Sequence, residues 1–125
     1  MPFRTIWENE GIKWEFHDFV TAQEIWEANK IFFNDHRAKT AKYQLVHTLE
    51  TTGVEWDPLS IVDVSVNDVA ASRTLQRLKM AYITNNEKIR NKIEKYVEVS
   101  RNLNTNWHFR GFESEEEARL WLNGT

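Results

Sequence analysis

The sequence predicts an α/β fold, one mixed sheet of about five strands with four helices in the order ββαβαβαβα. Three observations predict it. Two runs of alternating apolar and polar residues flank a glycine-containing turn at the start of the chain. The hydrophobic period then lengthens from two to the helical repeat. A hydroxyl–carboxylate pair at capping-box spacing recurs four times, each time where the period changes.

The elements follow in order. Phe3, Thr5 and Trp7 alternate with Arg4 and Ile6, and beyond Glu8-Asn9-Glu10-Gly11 the residues Ile12, Trp14 and Phe16 alternate with Lys13, Glu15 and His17. That pattern predicts an antiparallel hairpin. Thr21 and Glu24 open an amphipathic helix over 22–35, carrying Ala22, Ile25, Asn29, Phe32 and Phe33. Lys42–Thr48 reads as a strand. Glu50-Thr51-Thr52-Gly53 reads as a turn, Trp56-Asp57-Pro58 as a loop, and Ser60–Val64 as a short extra strand. Ser65 and Asp68 open a second helix bearing Val69, Ala70, Thr74 and Leu78. Met80–Thr84 is a short strand. Thr84 and Glu87 open a third helix with Ile89, Ile93, Tyr96, Val97 and Ser100 along its stripe. Asn106–Phe112 alternates as a strand, and Ser114 and Glu117 open a closing helix carrying Ala118, Trp121 and Leu122.

Length and composition bound the function. The 125 residues are expected to form one domain spanning 1–125, since two would each be undersized. With no cysteine, disulfides, thiol catalysis and thiolate metal sites are excluded. Sixteen basic against 19 acidic residues argue against a nucleic-acid binder driven by bulk electrostatics. No apolar run approaches the roughly 20 residues of a membrane span, and the first residues hold no apolar signal region, so a cytoplasmic location is expected. Gly-x-Gly, Gly-Lys-Ser and Gly-x-Ser-x-Gly patterns are missing, which speaks against nucleotide binding and a nucleophile elbow.

The four histidines show no helical ligand spacing. His17, His47 and His108 fall on predicted strands. Brought together beside a carboxylate they would make a metal or acid–base site; apart, each is a half-exposed strand residue. No metal, no cofactor and no catalytic residue is expected. The run Glu113–Glu117 fits a helix N-terminus, where anions are favourable.

Aromatic residues make up 13% of the chain. Trp7, Trp14, Phe16, Trp107 and Phe109 lie on strands and suit a core. Ile25, Trp26, Phe32 and Phe33 on the first helix, with Trp56 beyond it, exceed a single buried stripe. They are the expected surface for a partner or an apolar ligand, because large aromatics are enriched at interfaces and in apolar pockets.

Several stretches resemble the small bacterial SpoIIAA-like proteins, which have a STAS-type fold. They are Ile12–Phe16, Val20–Ile25, Asn34–Arg37 running into Lys42–Val46, Asp63–Val69 and Glu116–Leu122. The resemblance covers nearly the whole chain through element order and loose motifs. It implies a non-enzymatic regulatory or interaction module related to anti-sigma-factor antagonists, homodimeric and binding a protein partner near residues 60–75. Those antagonists are switched by phosphorylation of a hydroxyl at the second helix, and Ser65 is the nearest match. There a phosphate would meet the free N–H groups of a helix N-terminus, while the unmodified hydroxyl would act as an N-cap. This chain reads Asp63-Val64-Ser65-Val66-Asn67 and lacks the glycine of the family's stretch. The layout also resembles lipid-transfer domains, so the alternative function is binding or transfer of a small apolar molecule or lipid in a pocket beneath helix 22–35.

Overall fold

The structure, a computed structural model, describes residues 3–55, 63–66, 70, 78–103 and 105–124. Five strands form one sheet in sequential order: β1 (Phe3–Trp7), β2 (Gly11–Val20), β3 (Tyr43–Val54), β4 (Lys79–Ile83) and β5 (His108–Phe112). β1 pairs antiparallel with β2, and every later pair is parallel. The helices are α1 (Ala22–Phe33), a helical stretch at residues 63–66, α2 (Glu87–Asn102) and α3 (Glu115–Asn123), with a 3-10 turn at His36–Lys39. This is the expected order ββαβαβαβα, with five strands and four helices.

The period-two pattern sets the hairpin register. Phe3 lies opposite Phe16, Thr5 opposite Trp14 and Trp7 opposite Ile12, so the apolar members share one face. α1 and α2 cover that face. Ala28 and Phe32 of α1 and Ile89, Ile93, Tyr96 and Val97 of α2 join Ile12, Trp14, Phe16 and Phe109 in one core. α3 covers the opposite face, where Ala118 packs with Tyr43, Leu45, Ala81 and Ile83, flanked by Phe112, Trp121 and Leu122.

Two capping boxes form as expected. The Glu24 N–H donates to Thr21 Oγ1 at 3.2 Å, and the Thr21 hydroxyl reaches Glu24 Oε1 at 3.1 Å. Ser114 and Glu117 repeat the arrangement at 3.2 Å in both directions. α1 ends at Phe33, two residues before its expected end, with Asn34 as C-cap.

Elsewhere local expectation yields to tertiary packing. Thr84 does not cap α2: it is fully buried, and its Oγ1 accepts from the Asn86 N–H at 3.2 Å. Asn86 is the cap, accepting from the Lys88 and Ile89 N–H groups at 2.9 and 3.2 Å. Glu50–Gly53 is not a turn but part of β3, because β2 continues to Val20 through two register shifts and keeps pairing with it. Asp18, at φ 55°, sits beside the second shift. Gly53 serves packing: a Cβ there would lie 3.2 Å from the Phe19 ring. Asp63 and Val64 are helical, against the expected strand 60–64, and Leu78 is buried immediately before β4, not on a helix. Ser65 lies inside the helical stretch 63–66, so it is not an N-cap. Trp56–Pro58, residues 60–62 and Asp68 lie outside the described residues.

Candidate functional site: an apolar cavity beneath the first helix

An apolar cavity of about 80 Å³ lies between the sheet and the facing sides of α1 and α2. That is room for on the order of six water molecules. Its floor is Trp14 and Phe16 of β2, Val46 of β3, and Met80 and Tyr82 of β4. Ile25, Ala28 and Asn29 of α1 form one wall; Ile89, Lys92, Ile93 and Tyr96 of α2 form the other. Val20 and Val54, at the carboxyl ends of β2 and β3, line it as well. Ligands of α/β sheets favour the carboxyl ends of parallel strands.

Helical spacing builds the walls. Ile25, Ala28 and Asn29 recur at three and four residues on α1, and Ile89, Ile93 and Tyr96 do so on α2. Three polar groups of the lining bond to backbone carbonyls. The Thr48 hydroxyl donates to the Ile83 carbonyl at 2.6 Å and the Thr51 hydroxyl to the Phe16 carbonyl at 3.0 Å. The Lys92 ammonium donates to the Val54 carbonyl. Trp14 is 2% exposed, and its indole Nε1 has no hydrogen-bond partner among the described residues.

Of the residues expected to form an apolar surface, Ile25 lines the cavity. Trp26 and Phe33 are half-buried against the core. Phe32 corrects the expectation of excess: it is fully buried, stacked on Trp7 at 5.9 Å and edge-on to Trp14 and Phe33 at 6.1 and 5.3 Å. Phe33 in turn stacks on Trp107 at 6.2 Å. The helix stripe is broad because the hairpin beneath it is itself aromatic. Trp56 lies outside the described residues. Ser65 is fully buried.

The strand histidines do not converge. His47 lies opposite Ile83 on β4, whereas His108 lies opposite Lys79. Four residues of rise and two strand spacings separate them, on the order of 15 Å. Among the described residues no group of three His, Asp or Glu side chains is placed to hold a metal.

Lys92 is missing from the residues expected to form the site, and the pairing of the Trp14 indole is not legible in the sequence. Lys92 carried a signal: it stands at i+3 from Ile89 and i−4 from Tyr96, a cation on an otherwise apolar stripe. Trp14 read correctly as core, but nothing in an alternating strand shows whether an indole N–H is paired.

The opposite face has a different electrostatic character. Arg119 of α3 donates to both oxygens of Glu8, at 3.0 and 2.8 Å, and to Glu115 at 2.9 Å. Lys13 joins Glu115 at 2.9 Å and Glu15 at 3.2 Å, and the Tyr43 hydroxyl donates to Glu8. Arg119 holds the Glu8 carboxyl below its ordinary value against the opposing pull of burial. Burial opposes the ionised form of Glu115, yet Lys13 and Arg119 keep its pKa below the ordinary value. Burial, then the hydrogen bond to Glu8, pushes the Tyr43 phenol up to about 12. Gly11 permits this lattice: a Cβ there would meet the Tyr43 carbonyl oxygen at 2.5 Å and its ring at 2.6 Å.

A solved structure of an uncharacterised protein from the DUF3478 family with a SpoIIAA-like fold, from Shewanella loihica PV-4, superposes with a TM-score of 0.58. The match covers 96% of this chain and 93% of that one at 16% identity. The fold is SpoIIAA-like. At that identity the likeness establishes architecture and leaves function to be argued from the site. No protein-family model matches the chain, and no curated protein does. Among the described residues no helix is long and apolar enough to cross a membrane.

Proposed function

We propose that this SpoIIAA-like domain is a non-enzymatic binding module whose cargo is a small apolar molecule, held beneath α1. The observation that carries the reading is the cavity between α1 and α2, lined by Trp14, Phe16, Ile25, Ile89, Ile93 and Tyr96. Native cores are close-packed, and an unfilled apolar space forfeits dispersion contacts around its whole lining. A guest restores those contacts without exposing a polar group. Two expected partners, a regulatory protein and a second copy of the chain, are supported by no feature of comparable specificity among the described residues.

Filling the space is the test. Ala28 is 2% exposed and lines the cavity, so Ala28→Leu places a branched side chain where the guest would lie. Octanol, a neutral probe, is expected to bind the wild-type chain in a calorimetric or NMR titration and to fail to bind Ala28→Leu. The variant should stay folded, within about 1–3 kcal/mol of wild type. Failure of octanol and octanoate alike to bind wild type contradicts the reading.

A further inference from the structure

We infer that the cavity selects a monocarboxylic acid with a short apolar body. Its carboxylate meets the Lys92 ammonium at the carboxyl end of the sheet, and its body lies between α1 and α2. The inference rests on the binding function proposed above and adds the chemistry of the guest's head group.

Three observations converge on an acid. First, Lys92 is the one charged side chain among the described residues lining the cavity. Lys92 is half-buried, and among the described residues the lining contains no carboxylate to pair it. Second, the ammonium has three N–H donors, and the described residues engage one of them, through the Val54 carbonyl. That bond fixes the head of Lys92 at the end of β3, where Val20 and Val54 meet across the strand pair. Third, the buried Trp14 of the lining has no acceptor for its Nε1–H among the described residues. A buried donor without a partner favours a guest that supplies oxygen. An ionised carboxylate supplies the strongest acceptor available to an ammonium.

The space sets the size. Room for on the order of six water molecules fits a short chain or a single ring, and the carboxylate sits at the Lys92 end beyond it. An amine of the same shape would place a second cation against Lys92, and an alcohol would forgo the charge-assisted bond.

The experiment compares octanoate, octanol and octylammonium at neutral pH, where the acid is ionised. Titrations use the wild-type chain, Lys92→Met and Lys92→Arg. Lys92→Met retains the apolar stem of the side chain and removes the charge. For wild type, octanoate is expected to bind about tenfold more tightly than octanol, the usual gain from a charge-assisted hydrogen bond. Octylammonium should bind most weakly. Lys92→Met should lower octanoate to the affinity of octanol and leave octanol unchanged, and Lys92→Arg should keep the preference for the acid. Equal binding of octanoate and octanol by wild type overturns the head-group assignment, and that comparison needs no variant to fold. A preference for the acid that survives in folded Lys92→Met also overturns it. In either case octanol binding leaves the apolar-cargo reading standing, whereas failure of all three probes removes both.

Discussion

The two faces of the sheet solve the same packing problem in opposite ways. The face beneath α1 and α2 is built from large rings and branched chains and leaves a cavity lined by Trp14, Ile25, Ile93 and Tyr96. The face beneath α3 uses a small cluster, with Ala81 and Ala118 fully buried, and is bordered by ion pairs joining Glu8, Lys13, Glu115 and Arg119. Ion pairs need specific distances and angles, so they fix α3 against the hairpin. Dispersion contacts are many and individually weak, so the other face can admit a guest in place of missing neighbours. One face is thus held by geometry and the other by area.

The largest expected effect breaks the aromatic face. Phe32 is fully buried among Trp7, Trp14 and Phe33. Phe32→Ala should cost about 3–5 kcal/mol in urea unfolding, because the rings around it cannot collapse into the space. A loss below about 1 kcal/mol would mean that α1 is not packed as described.

A smaller effect sharpens the ionic face. Glu8→Gln removes the carboxylate shared by Arg119 and Tyr43 and should cost about 1 kcal/mol at neutral pH, the scale of a partly exposed ion pair. The pH dependence has a definite sign. Glu8 and Glu115 are depressed below their ordinary 4.5, so their contribution is complete above that value and is lost as pH falls through the folded-state pKa. Tyr43 is raised from 10 to about 12, so its contribution is present below pH 10 and lost as pH rises toward 12. Thermal melts should show acid loss setting in below about pH 4.5, shallower in Glu8→Gln, and alkaline loss above about pH 10, reduced in Tyr43→Phe. Identical profiles for wild type and both variants would show that this lattice does not carry the dependence.

What the sequence made legible follows the range of each interaction. The hairpin was readable because alternation between Phe3 and Phe16 is a local pattern with one register. The caps at Thr21 and Ser114 were readable because each box closes within four residues. Thr84 and Glu87 have the same spacing, but burial of Thr84 moved the cap to Asn86, a decision taken by the core. The extension of β3 through Gly53 depended on a strand some thirty residues earlier, so a turn-like composition misled. For the candidate site, a pocket beneath the first helix was anticipated and Ile25 lies in its wall. Phe32 and Phe33 look like surface in the sequence because a helix stripe shows its width but not the bulk of what it covers. Lys92 and Trp14 needed the three-dimensional arrangement, since pairing of a buried donor is settled by residues distant in sequence.

The measurement that bears most directly on the central claim is a methyl-resolved NMR titration of the wild-type chain with octanoate. The two faces predict separable outcomes. Saturable shifts are expected at Ile25, Val46, Val54, Met80, Ile89 and Ile93, which line the cavity. Leu45, Leu49, Ile83 and Leu122, on the face beneath α3, should stay in place. Shifts confined to the α3 face, or none on either face at saturating octanoate, would contradict the account.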